Sequence, residues 1–183
     1  PYIEAYGEGE AQAAYLVENG DAWAVASQDY DCLLFGAKRV VRNLAINSNL
    51  GDLEYYNLKR VLDELDINRE QLIDMGILIG TDFSEGLKGV GAKTALKLAK
   101  KGELENKLAK LQEESSHDIS EVREIFLNHN VNTNYKIRWK KPAKNDIIDF
   151  LCEEHGFSQD RVSKACDKLK NLNSSQKSLE DWF

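Results

Sequence analysis

The sequence predicts a mixed α/β fold followed by a helical C-terminal half, and three observations lead to this prediction. Residues 9–19 are rich in alanine, with apolar positions at helical spacing, and Gly20 ends the pattern as a C-terminal cap does. Residues 23–27 form a short, apolar run typical of a strand, and residues 39–44 alternate like another strand. From residue 104 to about residue 172, helical patterns dominate, interrupted only by an irregular stretch at 131–142.

The middle of the chain adds one strand and two helices to this prediction. Residues 53–56 are expected to form a third strand, and Asn57 is well placed to cap a helix that runs to about Leu65. A second helix is expected over residues 69–79, ending at Gly80. The sheet is therefore expected to be small, with helices before and after it.

Charge and composition exclude several classes of protein. The 183 residues include 31 acidic and 24 basic side chains, a net charge of −7, which argues against general coating of nucleic acid. No run approaches a membrane span, and no signal-peptide pattern opens the chain. Three scattered cysteines favour reduced thiols inside a cell over a disulfide framework, and the start at Pro1 without methionine indicates a piece of a longer protein.

Two pairs of acidic residues lie near the start of the chain. Glu8 and Glu10 flank Gly9, and both reach one point only if the helix begins between them. Asp29 and Asp31 follow the first strand, and in an extended chain this spacing projects both to the same side.

Asp82 is a candidate fifth member of one acidic site. Carboxylates packed closely raise one another's pKa, and hard divalent cations such as Mg²⁺ relieve the repulsion through oxygen ligands. The alternative is structural, because acids at helix starts favour the helix dipole and acids after strands are common in turns.

A glycine-rich segment leads into a basic helix. Residues 84–101 contain five lysines against one acid, a local charge of +4. Glycines let a phosphate approach backbone N–H groups, and a helix N-terminus favours an anion. A solvated helix face after a loop is the alternative. The lysines are Lys88, Lys93, Lys97, Lys100 and Lys101.

The last eight residues have a pattern of their own. Leu179, Trp182 and Phe183 are spaced to share one face of a single helical turn, with Gln176 ahead of them. Exposed aromatic residues behind a polar hinge are typical of an anchor for a partner protein, whereas the alternative is that they fold back onto the helical region.

Four segments resemble the internal nuclease motifs of the flap endonuclease family, and most closely its archaeal members. They are residues 6–14 (YGEGEAQAA), 26–36 (ASQDYDCLLFG), 79–83 (IGTDF) and 86–91 (GLKGVG). The resemblance runs from about residue 1 to residue 183. It implies the second half of a PIN-like 5′ nuclease core, with a helix-hairpin-helix (H3TH-type) element and a C-terminal helical region.

The resemblance implies a structure-specific 5′ nuclease of DNA replication and repair that cleaves flap DNA with two Mg²⁺, or with Mn²⁺ in their place. The implied catalytic and metal-binding acids are Glu8, Glu10, Asp29, Asp31 and Asp82. The family's N-terminal half, with two further aspartates, is absent from residues 1–183, so this chain alone is expected to be inactive. It is expected inside the cell, in the cytoplasm of an archaeon or in a eukaryotic nucleus.

The resemblance also assigns the glycine-rich segment and the tail. The residues expected to bind DNA are Gly86, Lys88, Gly89, Gly91, Lys93, Thr94 and Lys97. The carbonyls of Gly86, Leu87 and Val90 are expected to hold K⁺. The implied contacts with the sliding clamp, proliferating cell nuclear antigen (PCNA), are Gln176, Leu179, Trp182 and Phe183.

Four segments follow from this reading, and two rival functions stay open. The segments are the nuclease-core half at 1–80, the helix-hairpin-helix at 81–102, the helical region at 103–172 and the clamp-binding tail at 173–183. One rival is a non-catalytic DNA- and clamp-binding module. The other is a phosphatase using Asp29 and Asp31, which leaves the hairpin and the tail unexplained.

Overall fold

The computed structural model describes residues 1–44, 51–138, 140 and 142–172. Residues 170–172 are described by their backbone alone. The described chain divides into two compact units, Tyr2–Tyr135 and a second one that begins at Lys136 and includes Pro1. Among the helices of these described ranges, none is long and apolar enough to cross a membrane.

The first unit starts with the predicted helix and a three-stranded sheet. Its first elements are α1 (Gly9–Glu18), β1 (Val25–Ala26), α2 (Asp31–Leu34), β2 (Arg39–Arg42), β3 (Glu54–Asn57) and α3 (Leu58–Leu65). β2 lies in the centre of the sheet, parallel to β1 and antiparallel to β3. Val40, fully buried on β2, faces the core that α1 and α2 also enter.

Two of the three strands are shorter than the sequence predicts. β1 keeps only two residues, and the carbonyl of Trp23, just before it, accepts a hydrogen bond from the Arg39 side chain at 2.5 Å. β2 ends at Arg42 because Asn43 adopts a left-handed backbone with φ of 59°. Side-chain bonding and one turn residue thus cut the strands short.

The helix boundaries in the middle of the chain confirm the predicted caps. The Asn57 side chain accepts the backbone N–H of Arg60 at 3.0 Å and starts α3. Asn68 forms a capping box with Gln71 at the start of α4, which spans Arg69–Ile79 and ends at Gly80 as expected.

Helix α4 is the centre of the first unit. It packs against α5 (Ala92–Lys101), α6 (Leu104–Glu114) and α7 (Ile119–Leu127). Ile73 and Ile77 on α4 are fully buried, as is Phe126 on α7. The Arg123 guanidinium on α7 donates to the buried Asp74 carboxylate at 2.7 Å, which ties the same two helices by a charge pair.

The predicted irregular stretch begins as a loop that is bonded to α1. The buried Gln12 side chain donates to the carbonyl of Asn132 at 3.0 Å and accepts its N–H at 2.7 Å. These reciprocal bonds give the loop partners that a sheet or helix would otherwise provide.

The second unit is a short helical hairpin. It contains α8 (Lys144–Ile148), a π-helical continuation (Asp149–Glu154) and α9 (Gln159–Leu172). α8 packs on α9, and the two enclose an apolar groove of about 360 Å³ lined by Leu151, Val162 and Cys166 among others. All three cysteines are free, and Cys32 and Cys166 are buried.

Candidate acidic site and basic hairpin

The first acidic pair has the geometry that the sequence argument required. α1 begins at Gly9, so Glu8 stays outside it in an extended conformation (φ −66°, ψ 132°) while Glu10 lies in the first turn. The helix start therefore falls between the two carboxylates, and they are not separated by the rotation of a continuous helix.

The second acidic pair is held differently from the prediction. Asp31 is the first residue of the short helix α2, so residues 29–31 form a turn and the prediction of an extended chain is wrong. The Asp29 carboxylate accepts the backbone N–H of Asp31 at 2.9 Å. Aspartate side chains form this bond to their own backbone two residues on, and it replaces extended structure with a turn.

Ser27, which sequence reasoning missed, joins the two pairs. Its hydroxyl donates to a Glu10 carboxylate oxygen at 3.2 Å and accepts the backbone N–H of Asp29 at 3.1 Å. A serine directly after β1 was visible in the sequence, but only the approach of α1 to β1 gives it this role.

Asp31 experiences the whole acidic cluster. Its pKa is raised from 3.8 to about 6, chiefly by burial and then by the charges of Asp29, Asp82, Glu10 and Glu8, in that order. Asp82, in the turn after α4, is thus close enough to act on Asp31 from a distant part of the sequence. The five predicted acids share one electrostatic environment, and we call them the acidic cluster.

The acidic cluster offers the oxygen ligands of a magnesium site, but its side chains are not arranged around a single ion. Five carboxylates and no sulfur or imidazole are the ligands that hard divalent cations prefer. In the ranges that the structure describes, however, no three His, Cys, Asp or Glu side chains are placed so that they could hold one metal ion. The residues fit the chemistry of the ion and supply only part of its site.

A surface cavity of about 580 Å³ opens beside Glu8. Its apolar lining includes Phe35, Phe83 and Ile125, and acidic residues of α7 also line it. The cavity therefore adjoins the acidic cluster on the α7 side.

The predicted hairpin after α4 is a tightly bonded turn. Thr81 and Ser84 form an isolated bridge, and the N–H of Leu87 donates to the carbonyl of Leu78 at 2.8 Å. The buried Ser84 hydroxyl donates to the carbonyl of Ile77 at 3.2 Å. Ser84 was not singled out by the sequence, because an unremarkable serine gains this role only from the fold around it.

Gly86 occupies a position that no other residue fits. Its φ is +73°, and a Cβ atom there would lie 2.6 Å from the carbonyl oxygen of Ile79. Gly89 also has a positive φ, +85°, but faces open space. The first glycine is needed for close approach of two backbones, and the second for backbone conformation alone.

The lysines of the hairpin and α5 are all exposed, whereas the other face of α5 is buried through Ala95, Leu98 and Ala99. Gly91 precedes α5 and its carbonyl accepts the N–H groups of Thr94 and Ala95, and Gly102 follows the helix in a left-handed conformation. The surface thus presents positive charge next to a glycine-rich turn.

Two of the three carbonyls expected to hold K⁺, those of Leu87 and Val90, belong to one turn. The N–H of Val90 donates to the carbonyl of Leu87 at 3.0 Å, which leaves the second lone pair of that oxygen for another partner. Gly86 precedes this turn directly. The four predicted clamp-binding residues, Gln176, Leu179, Trp182 and Phe183, lie outside the described residues.

The comparisons with known proteins agree with one another. The XPG I-region family model matches residues 1–82. Flap endonuclease 1 of Methanothermobacter thermautotrophicus is 54% identical over 184 residues, a match that includes all of this chain and 56% of that protein. The chain thus spans about half the length of the curated relatives it matches.

Solved structures of similar fold lead to the same family. Flap endonuclease-1 from Methanococcus jannaschii is 44% identical with a TM-score of 0.84, over 94% of this chain and 53% of that one. Human GEN1, solved in complex with Holliday junction DNA, is 25% identical with a TM-score of 0.76, over 97% of this chain and 52% of that one. The predicted fold class, part of a 5′ nuclease core with a small sheet and a helical C-terminal region, is confirmed. Over its whole length the chain is similar to the C-terminal portion of archaeal flap endonuclease 1.

Proposed function

We propose that this chain is the C-terminal part of a structure-specific flap endonuclease, which cleaves 5′ flaps in DNA replication and repair inside the cell. The observation that carries the proposal is the convergence of four acids on Asp31 in a chain 54% identical to an archaeal flap endonuclease 1. Carboxylates gathered from three separate stretches of sequence have no need to meet for structural reasons.

The cofactor of this function is a pair of Mg²⁺ ions, with Mn²⁺ as a substitute. When bound, such ions activate water and stabilise the charge that gathers on a scissile phosphate. Glu8, Glu10, Asp29, Asp31 and Asp82 are the residues that would hold them. Because the cluster is incomplete by itself, we expect weak binding and no catalysis without the two further aspartates that the family resemblance implies.

The hairpin and α5 hold the DNA backbone. Exposed lysines on one face of α5 neutralise phosphates, and the glycine-rich turn lets a phosphate approach backbone N–H groups at the helix start. K⁺ at the carbonyls of Gly86, Leu87 and Val90 would join the turn to a phosphate. The tail at 173–183 binds the sliding clamp and thereby raises the concentration of the nuclease at flaps.

A non-catalytic DNA- and clamp-binding module is the second candidate. One observation favours it: within the described ranges, the acids do not form a group that could hold a metal ion. Under this function the chain binds duplex DNA but gains nothing from divalent cations.

Calorimetry with Mn²⁺ separates the two functions. We expect measurable affinity for the unmodified chain, and a loss of about tenfold or more when Asp29→Asn and Asp31→Asn are combined. Glu113→Gln with Asp160→Asn removes the same charge elsewhere and should change little. If the acidic-cluster variant binds Mn²⁺ as the unmodified chain does, the nuclease assignment fails for this site and the binding module is the better description.

Duplex binding tests the role of α5. Reversing Lys93 and Lys97 to glutamate should weaken binding to all duplex sequences alike and lower the salt slope of log K by about 2, since each neutralised phosphate releases counterions. Lys59→Glu with Lys110→Glu changes the same charge at exposed lysines that pair with Asp63 and Glu114. Equal losses from both double variants would contradict a specific role for α5.

A further inference from the structure

Arg42, at the end of β2, is bonded to strand β3 and to the segment that follows β1. Its Nη1 lies 2.7 Å from a carboxylate oxygen of Glu54, the residue directly opposite it in the β2–β3 register. Its Nε donates to the backbone carbonyl of Gln28 at 3.0 Å. One planar guanidinium therefore connects the sheet to the chain that follows β1.

The same guanidinium lies against Tyr30. Its central carbon is 3.9 Å from the centre of the Tyr30 ring, and Nη1 also donates to the Tyr30 hydroxyl. Tyr56 on β3 packs its ring edge on Tyr30, with ring centres 5.5 Å apart, and its hydroxyl donates to Glu54 at 3.0 Å. The Tyr30 ring is thus fixed by two residues of the sheet.

The residues that Arg42 contacts flank the second acidic pair. Gln28 precedes Asp29, and Tyr30 lies between Asp29 and Asp31. The two side chains of that pair can adopt their present relation only if residues 28–31 keep this turn, in which Asp29 accepts the N–H of Asp31. The contacts on either side of Asp29 hold the turn in place from the outside.

We propose that Arg42 is a positioning residue for the acidic cluster, fixing the Asp29–Asp31 turn through the Gln28 carbonyl and the Tyr30 ring. The inference rests on the proposed function, since it assumes that the turn serves a cation site. The role depends on shape: a guanidinium donates in several directions within one plane while its face covers the ring, and an ammonium group does neither.

A lysine substitution tests this role because it keeps the positive charge and removes the planar guanidinium with its several N–H donors. Arg42→Lys should accelerate hydrogen exchange at the amides of Asp29 and Asp31 several-fold, with exchange in α4 unchanged. It should also raise the Kd for Mn²⁺ by about tenfold, as removal of groups that orient metal ligands does. Tyr56→Phe, which deletes a single hydroxyl, should change both quantities in the same direction by less, and it serves if Arg42→Lys folds poorly.

Arg39→Lys is the matched control. Arg39 begins the same strand, its Nε donates to a backbone carbonyl, that of Trp23, and its guanidinium lies over the Trp23 ring at 5.2 Å. Its loss should cost stability comparably without altering Mn²⁺ affinity or the Asp29 and Asp31 amides.

Three outcomes decide the proposal. Equal effects of Arg42→Lys and Arg39→Lys on Mn²⁺ affinity would overturn it, because the effect would then be general loss of stability. Unchanged amide exchange at Asp29 and Asp31 in Arg42→Lys would overturn it as well, whatever the metal affinity. If the Asp29→Asn and Asp31→Asn double variant binds Mn²⁺ as the unmodified chain does, the proposed function is wrong. Faster amide exchange at Asp29 and Asp31 in Arg42→Lys would still support the positioning role in that case.

Discussion

At the scale of single residues, Asp31 shows what clustering acids costs the protein. Burial and then the charges of its four acidic neighbours raise its pKa to about 6, so the folded chain binds this proton more tightly than the unfolded chain. Stability from that proton is complete below a pH of about 4 and is lost as the pH rises through about 6. Above that range, ionised Asp31 destabilises the fold.

Asp31→Asn should therefore stabilise the chain at pH 8. Two units of pKa correspond to at most about 3 kcal/mol, and a smaller gain is expected because Asp31 is partly exposed and solvent screens its charge. Thermal unfolding should shift upward by a few degrees at pH 8, with no difference between variant and unmodified chain near pH 3.5.

Glu113→Gln is the control for this measurement, since it removes an exposed charge on α6 away from the acidic cluster. A gain in Tm that is the same at both pH values, or that Glu113→Gln reproduces, would contradict a cost specific to Asp31.

At the scale of elements, the hairpin between α4 and α5 depends on two glycines in different ways. Gly86→Ala places a Cβ 2.6 Å from the Ile79 carbonyl oxygen, a backbone atom that cannot move aside as the end of a flexible side chain would. In Gly89→Ala the new Cβ has no atom within 4 Å, so the variant loses stability only because alanine disfavours a positive φ. We expect about 1 kcal/mol of lost stability for Gly89→Ala and at least about 3 kcal/mol for Gly86→Ala.

Urea unfolding of the two variants checks this difference, and duplex affinity should fall more for Gly86→Ala because the turn itself is displaced. Similar free energies of unfolding for both variants would mean that the backbones at Gly86 and Ile79 separate at little cost.

The elements were predictable where local chemistry decides them. Asn57 and Gly80 mark helix ends because capping acts within one turn of the chain. The turn at Asp29–Asp31 was mispredicted, because extended chain and a helix start share the same two acids, and the Asp29 side chain decided for the helix.

At the scale of the whole molecule, the main apolar core lies within the first unit. Its buried residues run from Ala11 to Phe126, all before Lys136. We therefore expect a chain that ends at Tyr135 to fold alone, with one cooperative thermal transition and the near-ultraviolet circular dichroism of packed aromatic residues. Loss of that signal on truncation would show that the first unit needs the second for its packing.

The tail is predicted to act independently of this core. Removal of residues 176–183 should abolish binding to the sliding clamp while the far-ultraviolet circular dichroism and the Tm stay unchanged, because those residues follow the last described helix. Clamp affinity that survives Trp182→Ala with Phe183→Ala would contradict the assignment of these aromatic residues as the anchor.

The sequence by itself determined most of the helices, the caps at Asn57 and Gly80, the basic hairpin and the candidate acids, because each rests on residues a few positions apart. Only the tertiary structure decided that Asp82 acts on Asp31, that Ser27 joins Glu10 to Asp29, and that Arg42 reaches Tyr30 across the sheet. Those relations depend on which elements pack side by side. Packing is set by burial of the whole apolar core, a quantity summed over distant residues that no local pattern contains.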